Sequence, residues 1–441
     1  MQDFIDIGDR DVWGGRMPFG LAAADRRQHT YIIGKSGTGK STLLQNLIIQ
    51  DIRAGRGVAC IDPHGDLALS LLDHIPRHRT DDLVYFDPGM ADRPVSINPL
   101  QKVPAEERHR VASGIVSTFR SIWRDSWGAR TEYILYAAVA ALLDCGDGTL
   151  LGVQRMLSDE VYRDWVVRQV KDPAVRRYWR QEFASYDDRF RREAVSPIEN
   201  KVGQLLMASP VRNLLGQVRR KVDARFMMDD SRVFVANLSK GQLGEDKANL
   251  LGSLLVTSFQ QAAMSRSHIP EADRRDFHLY IDEFHNFTTD SFASILSEAR
   301  KYRLSLTLSH QYIEQVPPSL SAAIFGNVGS IISFRVGDRD AFRLSHELGG
   351  TYTPDSFSSL GNFQVIARVL ENGNHGEPFT GRTLSPIEPG YSHRENLLRR
   401  SREKYGTPRV IVEDKIHRWM GRTQFFGRTH GPGRQTRRRI S

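Results

Sequence analysis

Gly34-Lys35-Ser36-Gly37-Thr38-Gly39-Lys40-Ser41 satisfies every fixed position of the pattern G-x-x-x-x-G-K-[ST], and the flanks on both sides agree with it. Upstream, Thr30-Tyr-Ile-Ile33 reads as a short buried strand. Downstream, the stretch from Ser41 to Arg53 carries Leu44, Leu47, Ile48 and Ile52 on one helical face. Strand, glycine loop and helix in this order make a phosphate cradle. The glycines let backbone N–H groups close round a nucleoside triphosphate, and the helix N-terminus adds its dipole. Lys40 reaches the β- and γ-phosphates, and Ser41 offers a hydroxyl to Mg²⁺. The candidate nucleotide contacts are Gly34, Lys35, Ser36, Gly37, Thr38, Gly39, Lys40, Ser41 and Thr42.

A phosphate loop alone serves kinases, GTPases and mechanical ATPases alike, so a second element has to decide. Phe277-His-Leu-Tyr-Ile-Asp282-Glu283 reads as an apolar strand ending in two carboxylates. Asp282 suits a Mg²⁺ contact and Glu283 suits polarisation of an attacking water, which favours hydrolysis over binding alone. By itself such a pair is also a common turn feature. Further on, Leu304 to Ser309 reads as another strand ending at His310-Gln311. If it lies beside the strand of Asp282, Gln311 emerges at the same sheet edge and can sense the γ-phosphate; alone it is a polar edge residue. Arg300, ending the preceding helix, is a candidate to stabilise transferring phosphate in a neighbouring subunit, with a helix-dipole contact as the alternative. Asp62, in Ile61-Asp-Pro-His-Gly65, is read as an outer carboxylate of the site or as a turn former. Arg335 ends a late strand and is a weaker candidate for a subunit joint.

At 441 residues and 40% hydrophobic composition the chain can bury a large core. The longest apolar run, Tyr133 to Leu143, is too short to cross a bilayer, so no integral membrane segment and no secretory leader are expected. Cys60 and Cys145, the only cysteines, exclude a disulfide framework and a cysteine zinc site and suit a reducing cytoplasm. Cytoplasmic localisation is expected, with peripheral attachment at the inner membrane left open. Of the net charge of +9, the excess resides in Tyr391 to Ser441, which holds fourteen Arg and Lys against four Asp and Glu. Its end, Gly431 to Arg439, has too few apolar residues to pack and is expected to be disordered, either holding nucleic acid by phosphate contacts or serving solubility.

Eight strand-like runs occur, at Tyr31–Ile33, Gly57–Ile61, Asp82–Phe86, Arg232–Asn237, Phe277–Ile281, Ser305–Ser309, Ser330–Val336 and Asn362–Val369. Several are continuous apolar runs, which favours a mostly parallel sheet with helices on both faces. Between Val103 and Arg225 the periodicity becomes helical. The fold class expected is α/β, a phosphate-loop ATPase core with an inserted all-α domain. Residues 1–103 form the first part of the core, 104–225 the insertion, 226–390 the second part and 391–441 a basic tail of helix and disorder. Trp123, Trp127, Trp165 and Trp179 fall in the insertion, where packing outweighs a base-stacking role.

In their order these motifs resemble the FtsK–HerA superfamily of ring ATPases, and within it the TraD/TraG-like coupling ATPases of conjugative and type IV secretion systems. The resemblance rests on His29 to Ser41, Ile61-Asp-Pro-His-Gly65, Ile97-Asn-Pro-Leu100, Ile281-Asp-Glu-Phe284, Ala299-Arg-Lys301, Ser309-His-Gln311 and Phe334-Arg-Val-Gly337, spanning roughly residues 20 to 385. It implies a RecA-like core, ATP and Mg²⁺ as cofactors, and a homo-hexameric ring with DNA in its channel, bound without regard to sequence. It further implies Lys40, Ser41, Asp282, Glu283 and Gln311 as phosphate, metal, catalytic and sensor residues, and an arginine finger in trans at Arg300. The short stretch before the phosphate loop departs from relatives with transmembrane anchors or an N-terminal β-barrel, so an anchor-free form is expected. The function expected is an ATP-hydrolysing DNA translocase with a relaxase or secretion-channel protein as partner. Two alternatives stand beside it: a HerA-like repair or defence motor working with a nuclease, and an ATP-dependent scaffold that does not translocate. The stretch from Ser401 to Pro408 and the helix after it are expected to bind a partner or cap the ring.

Overall fold

The computed structural model describes residues 4–101, 103–289, 292–391 and 393–421. In chain order its strands are β1 (Phe4–Val12), β2 (Gly15–Ala22), β3 (Thr30–Ile33), β4 (Gly57–Asp62), β5 (Leu83–Phe86), β6 (Val233–Asn237), β7 (Phe277–Ile281), β8 (Leu304–His310), β9 (Ser330–Ser333), β10 (Gln364–Arg368), β11 (Leu370–Glu371), β12 (Asn374–His375) and β13 (Phe379–Thr383). Eleven of them form one sheet in the order β2-β1-β13-β10-β9-β3-β8-β7-β4-β6-β5, while β11 and β12 pair as a small hairpin. The seven strands from β9 to β5 run parallel, each fully buried. Period-2 alternation explains why their sequences are continuously apolar. Tyr31, Ile33, Ala59, Ile61, Phe234 and Ile281 enter one hydrophobic cluster, while Ile32, Val58, Cys60, Val233, Val235 and Tyr280 enter the other, so neither face meets water.

All eight expected strands are present, and three more complete the sheet. β1, β2 and β13 join β10 in an antiparallel extension beside β9, with Gly8 opposite Thr383 and Gly20 opposite Asp6. The residues ahead of the phosphate loop therefore belong to the same sheet as the loop's own strand. Local pattern hides them: β1 places Asp6, Asp9 and Asp11 among its apolar residues, β2 contains Pro18 and two glycines, and acids, Pro and Gly are depleted in strands. What holds them is pairing with a segment hundreds of residues away, invisible to a local window.

Between β5 and β6, the regular elements are all helical among the described residues. The longest are Ala129–Cys145 and Asp188–Met207. Gly146 takes a left-handed conformation after the first, and Asp187 caps the second by accepting from the N–H groups of Arg189 and Phe190. Trp123 and Trp179 are buried, and the Trp179 indole donates to the Ala137 carbonyl at 3.1 Å, in keeping with packing. No single helix among the described residues is long and apolar enough to cross a membrane.

The tail segment does not trail away. Helix Arg394–Tyr405 covers the β5 edge, where the Tyr85 N–H donates to Ser401 Oγ at 2.8 Å, and shields unpaired strand groups. Helix Arg409–Met420 then packs on the inserted helices: Trp419 meets Tyr162 edge-on at 5.5 Å and its carbonyl accepts from Arg155 at 3.0 Å. The stretch from Ser401 to Pro408 and this helix thus strap the sheet edge to the insertion of the same chain. The Gly431–Arg439 run lies outside the described residues.

A buried ion pair joins the helix after the phosphate loop to β7. Arg26 grips Asp51 with two bonds of 2.7 Å, and Tyr280, two positions before Asp282, donates to the same carboxylate at 2.6 Å. Burial pushes the Asp51 carboxyl up, but Arg26 and these bonds outweigh it and hold the carboxyl well below its ordinary range. Asp51→Asn should cost about 3–5 kcal/mol, because it removes the carboxylate charge that the buried Arg26 guanidinium grips with two bonds. In urea titrations the wild-type advantage should be complete above the ordinary carboxyl value of 3.8 and shrink as pH falls below it. An advantage independent of pH would contradict this reading.

Candidate active site

The strand order brings the phosphate loop and the acids to one edge of the sheet. β8 lies between β3 and β7, parallel to both, so Gly34, Gln311 and Asp282 all leave the sheet at the carboxyl ends of adjacent strands. The loop is pinned where it starts: the Gly34 N–H donates to the His310 carbonyl at 3.4 Å and the Lys35 N–H to the Arg335 carbonyl at 2.8 Å. Gly37 and Gly39 take φ of 75° and 122°, conformations that side-chain-bearing residues rarely adopt. At Gly39 a Cβ would also lie 2.9 Å from the Phe363 ring, whose own N–H donates to the Thr38 carbonyl at 2.8 Å. Lys40 is buried and folds over the loop, its Nζ donating to the carbonyls of Gly34 at 2.6 Å and Lys35 at 3.1 Å. Lys35, Ser36, Gly37 and Ser41 are exposed on the rim, while Thr42 is half-buried.

Opposite this loop sit three buried carboxylates, Asp62, Asp282 and Glu283. Burial, then the charges of Asp62 and Glu283, push the Asp282 carboxyl up to about 6. Lys40 opposes them; its own pKa is lowered by burial and partly restored by Glu283 and Asp282. Glu283 takes a left-handed backbone, φ 44° and ψ 49°, which is strained for a non-glycine residue and turns its side chain out of the strand. Its Oε1 accepts from Gln311 Nε2 at 3.0 Å, and its main-chain carbonyl accepts from Asn286, which in turn accepts from Lys240 at 2.7 Å.

The structure thus brings together Lys40, Asp282, Glu283 and Gln311. It does not bring Arg300 to them: that residue lies exposed just before β8, at the opposite end of a seven-residue strand from Gln311. At about 3.3 Å per residue the two are some 20 Å apart along the strand, so Arg300 cannot serve its own loop. Both Asp62 oxygens accept backbone N–H groups, from His64 at 2.8 Å and Ala68 at 2.9 Å, so Asp62 shapes the turn while its charge acts on Asp282. Arg335 reaches the Leu360 carbonyl at 3.4 Å within its own chain. Three residues escaped sequence reasoning: His285, whose Nδ1 is 3.4 Å from Glu283 Oε2, Gln315, and His310, which meets Tyr31 Oη at 2.6 Å between β8 and β3. Only His310, within Ser309-His-Gln311, lies in a stretch the sequence singles out, and its own role there is not read from it.

A glycine cradle closed to a Cβ at Gly34 and Gly39, a lysine on its carbonyls and a crowd of buried carboxylates fit a Mg²⁺-bound nucleoside polyphosphate, whose cation would balance the acids. The family then follows from sequence, since residues 15–353 match the type IV secretion-system coupling protein DNA-binding domain. The chain belongs to that family. No curated protein matches it. Among solved structures it is similar to the unbound bacterial conjugative coupling protein TrwB, with TM-score 0.63, 15% identity and coverage of 88% of this chain and 90% of that one. TrwB in complex with ADP and Mg²⁺ gives 0.61, 16%, 88% and 91%. VirB4 of Thermoanaerobacter pseudethanolicus gives 0.57, 14%, 86% and 96%. At these identities the likeness is one of fold alone.

The raised Asp282 pKa has a measurable cost. A carboxyl that titrates near 6 when folded and 3.8 when unfolded destabilises the fold above pH 6, by about 2–3 kcal/mol, and not below 3.8. In metal-free buffer Asp282→Asn should therefore raise the melting temperature at pH 8 and give no gain near pH 3.5. A variant less stable than wild type at pH 8 would contradict the assignment.

Proposed function

We propose that this coupling-family chain is an ATP-hydrolysing motor that assembles as a hexameric ring and moves DNA through its channel. The observation that carries the reading is the 3.0 Å bond from Gln311 to Glu283, made between adjacent strands beside the phosphate loop. A scaffold that only binds ATP has no need of a sensor held on a catalytic acid.

Residues 34–42 would hold the phosphates of ATP, with Lys40 turning from the loop carbonyls to the β- and γ-phosphates. Ser41 and Asp282 would hold Mg²⁺, Asp282 as the ionised acid. Bound there, the metal supplies charge neutralisation on the phosphates and polarises the transferred group. Glu283 orients a water and takes its proton, and Gln311 restrains that carboxylate until a γ-phosphate competes for its amide. Arg300, remote from its own loop, reaches the nucleotide of the adjacent subunit, which makes hydrolysis depend on assembly. DNA contact is to the phosphate backbone, so binding should be indifferent to sequence and weaken steeply with salt. A relaxase-bound strand suits the coupling family as cargo.

Glu283→Gln should keep ATP binding and lose DNA-stimulated turnover by about 10²-fold or more. Lys40→Ala and Arg300→Ala should each be inactive alone. Mixed rings should regain activity, because an Arg300→Ala site beside a Lys40→Ala subunit has both an intact loop and an intact finger. Mixtures that stay silent although rings form would remove the finger in trans, and an unimpaired Glu283→Gln enzyme would remove the mechanism.

A further inference from the structure

Glu283 is held from two sides, and only one of them is the sensor. Its Oε1 accepts from Gln311, but Oε2 is buried with no hydrogen bond, and His285 Nδ1, also buried with no hydrogen bond, lies 3.4 Å from it. The other ring nitrogen of His285, Nε2, lies 3.3 Å from Gln315 Nε2. The orientation of that amide is fixed independently: Gln315 Oε1 accepts the N–H groups of both Gln311 and Tyr312, each at 3.0 Å. An oxygen that accepts two backbone donors leaves the NH₂ end facing His285, so His285 Nε2 is the acceptor. A neutral imidazole that accepts at Nε2 carries its proton on Nδ1. That N–H sits 3.4 Å from the unpartnered oxygen of Glu283 without bonding it, and rotation of the ring is what would close the bond. Burial, then Lys240, lowers the His285 pKa to about 4, which keeps the ring neutral.

We infer that His285 is a positioning residue for Glu283, and that Gln315 sets its tautomer and thereby ties the carboxylate to the backbone of the sensor segment. The circuit runs from Glu283 to Gln311, along the main chain to Gln315, through His285 and back to Glu283. Movement of residues 311–312 releases the Gln315 amide and with it the proton that restrains Glu283, so the sensor acts on the acid by two routes. His285 has room to swing, since it lines a cavity of about 480 Å³ between the inserted helices and the core, with Arg124, Asn249 and Thr288 on its walls. The inference rests on Glu283 being the catalytic acid.

The test compares ATPase kinetics and affinity for a non-hydrolysable ATP analogue in four variants of the full chain with DNA. His285→Phe should lower kcat by about 10- to 100-fold, the usual effect of losing a group that orients an active-site ligand, with KM and analogue affinity unchanged. His285→Asn, whose amide can donate from the Nδ1 position, should recover most of that loss. Gln315→Glu keeps the oxygen that accepts both backbone N–H groups but presents a second oxygen to Nε2, moves the ring proton there, and should fall as far as His285→Phe. Glu283→Gln is the reference. If it is inactive while His285→Phe and Gln315→Glu turn over normally, the positioning role is wrong and the ATPase reading stands; if it is active, both fail. Asparagine no better than phenylalanine would also overturn the inference. Should phenylalanine prevent folding, judged by analogue binding, the isosteric Gln315→Glu and His285→Asn decide.

Discussion

The placement of β8 between β3 and β7 is the constraint on which everything else depends. A parallel strand delivers its carboxyl end to the edge where its parallel neighbours end, so one topological choice gathers Lys40, Gln311 and Glu283 from positions roughly 240 residues apart in sequence. Had β8 been placed outside β7, Gln311 would stand at the same edge but one strand further from the phosphate loop. The sheet fixes this order by burial on both faces, and the Arg26–Asp51–Tyr280 cluster fixes the loop helix against β7 at the opposite end.

The site is built at the expense of stability. Three carboxylates share a dry edge, Glu283 is strained, and Lys40 is pulled between its own loop carbonyls and the acids. Each is unfavourable alone and each would be relieved by a cation and a polyphosphate, as the proposed nucleotide site requires. The surrounding structure is arranged to tolerate it. The antiparallel extension of β10, β13, β1 and β2 closes one side of the parallel block, and the C-terminal helices close the other while gripping the inserted helices. Motions of that insertion are thereby linked to the sheet edge through the same chain that ends in the basic tail.

Much of this was legible in sequence because it is local. The phosphate loop, the apolar strand ending in Asp282-Glu283 and the strand ending in Gln311 are short patterns whose chemistry follows from their own residues. What the sequence hid is non-local. β1 reads as a polar segment until β13 is laid beside it, Ser401 is unremarkable until Tyr85 donates to it, and His285 is one histidine among fourteen until Gln315 fixes its proton. Asp62 shows the opposite limit: its position suggested chemistry, yet both its oxygens hold a turn, and it acts on the site through charge alone.

The central claim is that the glycine loop and the acid pair converge on a single metal-bound nucleotide. Electron spin resonance of Mn²⁺ in place of Mg²⁺ tests it most directly, with ADP present and phosphorus couplings read from the bound metal. The account predicts a ³¹P-coupled Mn²⁺ signal in the wild type, lost in Asp282→Asn and in Ser41→Ala while ADP stays bound. A phosphorus-coupled signal that survives both substitutions would contradict it.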